Sequence, residues 1–301
     1  MDIPDDRPAS GMTGGVHTVD GAQGAAVALF ATAVKLCKPA VAPFAAIRRH
    51  RRIVASTTIH EIRTQYAGSV LGAAWVVIGQ LCVLAVYAMT YVVIFKIQPA
   101  DMTVYEYILY VFCGLTSFLP FSNSLSAGAL SLVSNRAVLL NTVFPAELIP
   151  LRTVLVASVT MPAGAIILAI ADGLLSHPSW TTLLVPLVMI LQLMFAAGLV
   201  WILSLAALVV RDIQHMIQYA VMMLAVITPI AYTPPMVPDA LKALIYVNPL
   251  SYFVISFQYL VILNRLPEPQ ILIPMLVMSF VIFVLGYNTV RRAKGAFYDY
   301  A

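Results

Sequence analysis

Two arginines raise the first chemical question. Arg52 and Arg63 stand eleven residues apart, about three turns of helix, so on a helix they share roughly one face. A planar guanidinium takes phosphoryl oxygens in pairs where an ammonium offers only a point charge. Two of them on one face could receive the phosphate of a lipid headgroup. The same charges would equally well hold the segment on one side of a membrane, and the sequence leaves both roles open. Tyrosines supply the second candidate chemistry. Tyr87 and Tyr91 are four apart inside an apolar stretch, where phenol rings offer an apolar face and a polar handle to sugar rings. Aromatic residues also gather at membrane interfaces as anchors. For Tyr105 and Tyr107 the anchor is the expectation, whereas Tyr87 and Tyr91 lie deeper and leave a sugar-binding role as open as an anchoring one.

Covalent chemistry finds no comparable support. The chain contains no GxxxxGK[ST] loop to cradle ATP phosphates. His60-Glu61 is followed by Arg63 and Thr64 rather than a second His, so HExxH is absent, and Gly68-Ser69-Val70 is not GxSxG. Asp5-Asp6 is the one adjacent acidic pair and lies near the N-terminus, poor support for a metal-dependent sugar-phosphate transferase. Cys37, Cys82 and Cys113 are odd in number and not paired in spacing, which favours neither a disulfide framework nor a metal site. The expectation is a chain with no catalytic residues, no metal and no cofactor of its own.

The elements that must position these residues are written in the charge pattern. The 301 residues are 61% hydrophobic and 10% charged, far outside the soluble range. Charge-free blocks run over 64–95, 107–135, 153–171, 173–210, 213–238, 243–264 and 269–290, most of them long enough to cross about 30 Å of hydrocarbon. A basic cluster, Arg48, Arg49, Arg51 and Arg52, precedes the first block, and Arg291, Arg292 and Lys294 follow the last. The positive-inside rule puts both on the cytoplasmic face, so the number of crossings is even. The block to discard is 243–264, which follows Pro234, Pro235 and Pro238 and is broken at Asn248-Pro249. Proline removes a backbone donor and ends or kinks helices. Asp239 to Val247 would make only about 14 Å of helix, half a bilayer. Residues 234–265 are therefore expected to form a re-entrant helix pair on the outer side, lining a cavity rather than lipid. The predicted fold is an all-α polytopic membrane protein with six transmembrane helices, at about 70–95, 107–130, 151–171, 182–209, 213–232 and 270–290. Only Lys96, Lys242 and Arg265 of the 17 Lys and Arg residues then face outward.

Ahead of the first span, Ala55, Ile59, Ile62 and Tyr66 recur at helical spacing, with Thr57, Glu61 and Thr64 opposite. That stripe predicts an amphipathic helix over about 47–67 lying in the lipid interface. It runs through the small-residue elbow Ala67-Gly68-Ser69 into the first span. Residues 1–46 are Gly-, Ala- and Pro-rich with scattered acids, lack the positive start of a signal peptide, and are expected to form a largely disordered cytoplasmic tail.

Arg63 to Gly72, RTQYAGSVLG, with Trp75, resembles the elbow of membrane subunits from type-2 ABC exporters of bacterial polysaccharides, the group that handles O-antigen, capsule and teichoic acid chains. The family usually has a basic residue where this chain has Ala67. Further similarity lies in Asn135, Leu139-Leu140, Phe144-Pro145, Glu147 and Pro150, in Arg211-Asp212, in Thr228-Pro229-Ile230, Tyr232, Val237-Pro238 and Asn248-Pro249-Leu250, and in Phe297-Tyr298-Asp299. A basic residue common before Val143 is replaced by Asn141-Thr142. Together these span roughly 47–301 in family order.

The resemblance implies a homodimeric permease with a tunnel between two copies and two P-loop ATPase subunits, which carry the ATP and Mg. It implies ATPase docking at Glu61 of the interfacial helix, at Arg136, Leu139, Leu140, Phe144 and Glu147 of the loop between spans two and three, and at Arg211. It also places Tyr232, Asn248 and Pro249 in an outer gate, and Arg52 and Arg63 at the headgroup. From the residues alone, the loop around Val138 to Val143 fits an amphipathic turn packed on its own spans. Pro145 is placed to open the third span's helix, and Asp212 to cap the fifth. The expected substrate is a lipid-linked polysaccharide, O-antigen first, crossing the bacterial inner membrane from a permease with both termini in the cytoplasm. A capsule or teichoic acid exporter, a small-lipid or drug exporter of the same fold, and a membrane sugar-phosphate transferase are the alternatives.

Overall fold

The computed structural model describes residues 19–97, 99, 102–141, 145–175, 180–210 and 212–293, with side chains except at 19–40, 138, 140, 141, 175 and 235. The chain divides into two compact units, Met1–Ala42 and Pro43–Ala301, and among the described residues the stretches that could cross a membrane lie in the second. The α-helices in chain order are α1 (Val19–Gln65), α2 (Trp75–Ala88), α3 (Val104–Ala129), α4 (Ser131–Ser134), α5 (Arg136–Asn141), α6 (Leu148–Ala157), α7 (Thr160–Leu175), α8 (Val185–Val209), α9 (Ile213–Ile227), α10 (Asp239–Val247), α11 (Pro249–Val261) and α12 (Pro269–Arg292). No strand occurs among the described residues.

Among the described residues, five stretches are long and apolar enough to cross a membrane: Gly72–Ile94, Val104–Ala129, Leu148–Leu174, Trp180–Val209 and Pro269–Arg292. The expected span at 213–232 is a shorter helix, α9, of 15 residues, about 22 Å long. It stops at Thr228 because the residue before Pro229 is driven out of the helical region, and Thr228 is extended with ψ 132°. The expected re-entrant segment is the pair α10 and α11, bent by 97°. Asn248 makes the corner, its side chain accepting from Leu250 N at 3.0 Å, and Pro249 takes the first helical position, where a missing N–H costs nothing.

The spans pack around α3, the most buried of them, whereas Gly72–Ile94 lies almost wholly at the surface of the protein. The closest approach is between α8 and α12. A Cβ on Gly286 would stand 2.1 Å from Gly198 O, and one on Gly198 2.4 Å from Ile282 O. Small residues let two backbones touch where lipid supplies no hydrophobic drive between helices. Gln192 of α8 exchanges two bonds with Ser117 of α3, Ser117 Oγ to Oε1 at 2.9 Å and Nε2 to Ser117 O at 2.7 Å.

Several expectations change. Helix α1 begins at Val19, well before 47, and loses helical geometry at His50 (φ −104°, ψ 15°), so the segment after that kink is the one that matches the interfacial helix. Its apolar stripe lies largely outside the protein, where a lipid-facing stripe would be: Ala55 and Ile59 are exposed, and Ile62 and Tyr66 half-buried. The face turned to the protein is Val54, Thr58 and Glu61, with Val54 and Thr58 buried. Phe44 anchors the same helix against α12, stacking on Phe280 at 6.2 Å and meeting Phe283 at a tilt at 5.3 Å. The elbow uses glycine where it must, since Gly68 (φ 77°) and Gly72 (φ 49°) are left-handed, and Trp75 Nε1 donates to Ser69 Oγ at 3.1 Å. Pro145 does not open α6. It sits in the preceding turn, its carbonyl accepting from Leu148 N at 2.9 Å. Asp212 occupies the cap position of α9 but its side chain makes no cap bond; its carbonyl takes His215 N and Met216 N instead.

Candidate functional site

The broken backbone between α9 and α10 is the first element to account for, because in a membrane every carbonyl it frees must find a donor from protein or water. Two neighbouring helices supply those donors. Tyr107 of α3 donates its hydroxyl to Ala231 O at 2.6 Å, and Tyr110 to Tyr232 O at 3.4 Å. Gln258 of α11 donates Nε2 to Pro229 O at 2.9 Å and shares it with Ile230 O at 3.4 Å. Asn248 Nδ2 reaches Thr228 Oγ1 at 2.8 Å, so the corner of the bent pair is tied to the end of α9. Tyr232 returns its hydroxyl to Ile227 O. Gly114 clears the space, for a Cβ there would lie 2.9 Å from Ile230 Cα.

This arrangement corrects one reading and extends another. Tyr107 is fully buried and belongs to the plug of the break, not to an interfacial belt, while Tyr105 at 68% exposure fits that belt. Tyr232, Asn248 and Pro249, expected in the gate, do meet here. Gln258 was not singled out from the sequence, although a lone amide in PLSYFVISFQYLV was the available signal. Outside it, α10 is held mainly by Ile245, packed with Ile255 and Ile271. Crevices lie on both sides of α10. One of ≈ 570 Å³ includes Tyr110, Thr233, Lys242, Tyr246, Tyr259 and Arg265, and an apolar one of ≈ 300 Å³ lies between Val226, Tyr232 and Leu241.

Span one carries an aromatic ladder. Tyr87 and Tyr91 stack at 5.8 Å and 19°, and Tyr91 meets Phe95 edge-on at 5.8 Å. The ladder crosses a π-helical stretch, Met89–Ile94, in which Phe95 N reaches back to Thr90 O at 2.9 Å; such turns are frequent at functional sites. Much of α2 and α9 faces away from the protein, including Val86, Met89 and Val93 on the first span and Met216, Tyr219, Met222 and Val226 on α9.

At the opposite end of the spans, Arg152 joins three elements. Its Nε lies 2.7 Å from Glu61 Oε2 of α1, and its Nη2 donates to Asn135 Oδ1, after α4, at 3.2 Å. A groove of ≈ 490 Å³ runs beside this contact, lined by Ser56, Thr57, His60, Glu61, Thr64 and Arg152. Arg52 and Arg63 are exposed on the same helix. Trp201 of α8 donates Nε1 to Glu147 O at 2.8 Å, and the Glu147 side chain is buried, 6% exposed. Burial makes Glu147 part of the frame under the loop rather than of its surface. Glu61 likewise commits its carboxylate to Arg152. Arg136 is exposed and Leu139 half-buried. Phe144, Arg211, Lys294 and the Phe297-Tyr298-Asp299 ending lie outside the described residues, as does the side chain of Leu140. The role of Arg152 was invisible in the sequence because its partners are far away in the chain.

A family model described as "ABC-2 type transporter" matches residues 54–262, from the buried face of α1 through the bent pair. The chain is 25% identical over 239 residues to the O-antigen export system permease protein RfbA of Myxococcus xanthus, covering 78% of this chain and 89% of that one. It is 26% and 27% identical over 244 residues to two proteins of the same name from Klebsiella pneumoniae, covering 80% of this chain and 91% of each.

Proposed function

The chain belongs to the ABC-2 type transporter family, as the membrane subunit of a type-2 ABC exporter, and we propose that its cargo is a lipid-linked polysaccharide of the O-antigen class. It is a multi-pass membrane protein that works with a separate ATPase subunit. In this reading the membrane is the bacterial inner membrane, both termini are cytoplasmic, two copies face each other, and each engages one P-loop ATPase. The chain itself performs no covalent step.

The observation that carries the reading is the plugged break at Thr228 to Tyr232. Irregular backbone at membrane depth is tolerated where it is covered by protein or faces a water-filled path. Here its carbonyls are held by Tyr107, Tyr110 and Gln258, an arrangement that opens when those bonds are exchanged for water. The exposed apolar faces of α2 and α9 are where a second copy would complete a tunnel, with the Tyr87–Tyr91–Phe95 ladder along one wall. Arg52 and Arg63 receive the headgroup from the inner leaflet, next to the groove that Glu61 and Arg152 hold in place. The relatives named for O-antigen export support the choice of cargo.

The test is reconstitution. Co-purified permease and ATPase in proteoliposomes should move a lipid-linked O-antigen chain across the bilayer only when ATP is present. Arg63→Lys should retain insertion and ATPase binding but slow that export. Absence of ATP-dependent movement from a complex with measurable ATPase activity would refute the cargo assignment, and an unchanged rate in Arg63→Lys would leave Arg63 a topological charge.

A further inference from the structure

We propose that the ≈ 570 Å³ pocket beside α10 binds a phosphoryl-bearing lipid headgroup at the membrane face opposite the interfacial helix. The pocket is built from the ends of elements that lie far from α1 along the spans: Pro99 and Met102 before α3, Thr233 and Met236 before α10, Lys242 and Tyr246 on α10, Tyr259 near the end of α11 and Arg265 in the loop that follows it. Its described lining carries two cations and no carboxylate. Those cations are two of the three that the charge pattern assigns to this face, where basic residues are otherwise scarce. Their convergence on one cavity needs a cause beyond topology.

The geometry suits a phosphoryl group. The Arg265 guanidinium lies over the Tyr259 ring, 4.6 Å from its centroid, which fixes the fork at the mouth without engaging its N–H donors. Lys242 is held by Asp239, Nζ to Oδ1 at 2.6 Å, on the exposed flank of α10, and an ammonium has three donors, so that contact leaves others for a ligand. Tyr246 and Tyr259 share the lining and add phenol groups on apolar rings. The cavity is large enough to take a headgroup with its first sugar or glycerol, falling within the usual range for small-molecule sites. Two sources share this chemistry: the phosphodiester of a bulk anionic lipid and the diphosphate of a lipid-linked glycan after it has crossed. Because one wall is α10, occupancy would bear on the same helix that caps the break at Thr228.

Binding is read without transport, so the outcome is separate from the cargo assignment. The purified permease–ATPase complex in phosphatidylcholine nanodiscs would be titrated with short-chain phosphatidylglycerol in one arm and farnesyl diphosphate in the other, with dissociation constants from thermophoresis. Saturable binding of either probe is expected, weakened roughly tenfold in Arg265→Gln, as for loss of a charge-assisted bond, and further in Arg265→Gln with Lys242→Gln. Lys96→Gln, outside the lining, should bind as the parent does. Arg265 is exposed, so folding is not at stake. Preference for the first probe assigns the site to bulk lipid, and preference for the second to the diphosphate. No saturation by either probe, or equal constants in parent and Arg265→Gln, would overturn the site.

Discussion

Replacing Tyr107 by Phe removes one oxygen and nothing else from the plug that covers the α9–α10 break. The hydroxyl donates to Ala231 O at 2.6 Å, and Tyr107 itself is fully buried, so water cannot replace the lost donor while the plug stays shut. A buried carbonyl left without a partner costs about 1–3 kcal/mol. That penalty falls on the closed arrangement, because the opened segment can hydrate. The population with the 228–232 stretch opened should therefore rise by about five- to a hundredfold or more, at about 1.4 kcal/mol per factor of ten. Hydrogen exchange measures this directly. Thr228 N and Ile230 N are both held in the closed form, by Leu224 O at 2.9 Å and Thr228 O at 2.7 Å. Their exchange in nanodiscs should accelerate by the same factor if exchange follows local opening. Tyr105→Phe, on a side chain already 68% exposed, serves as the control and should exchange as the parent does. Equal exchange of the 225–236 peptide in Tyr107→Phe and parent would show that the carbonyl is not held shut by this bond, and the plug would lose its physical basis.

Three further outcomes are expected. Gly286→Ala should cost about 1–3 kcal/mol, the usual range for overpacking, because its Cβ would sit 2.1 Å from Gly198 O; thermal unfolding in detergent should show it, and Gly79→Ala, with nothing within 4 Å, should not. Glu61 and Arg152 should show a coupling of about 1 kcal/mol or less in a double-mutant cycle read by stability, since the contact is partly exposed and screened, and salt should reduce it; additivity of the single changes would deny the link between α1 and α6. Leu139→Asp should abolish co-purification of the ATPase while leaving membrane insertion intact, and full co-purification would place the dock elsewhere.

The membrane class, the apolar stretches long enough to span and the place of the break are legible in charge pattern and proline placement alone. Charge-free blocks are set by solvation alone: a charge within hydrocarbon is expensive wherever its neighbours lie. Thr228-Pro229 and Asn248-Pro249 end helices through local sterics that need no partner. Apolar periodicity located a helix ahead of the first span but misjudged its start, and it could not say which residues turn to the protein. Long-range packing settles which side chains answer the broken backbone and where the charges go. Tyr107 reads as an anchor until the chain folds and brings Ala231, more than a hundred residues later, to its hydroxyl. Glu147 reads as a surface acid until Trp201 closes over its carbonyl. Glu61 and Arg152 are two ordinary charges until the fold brings them within 2.7 Å of each other. Each of these depends on a contact between residues distant in the chain, and local pattern carries no information about a donor's partner when that partner arrives only through packing.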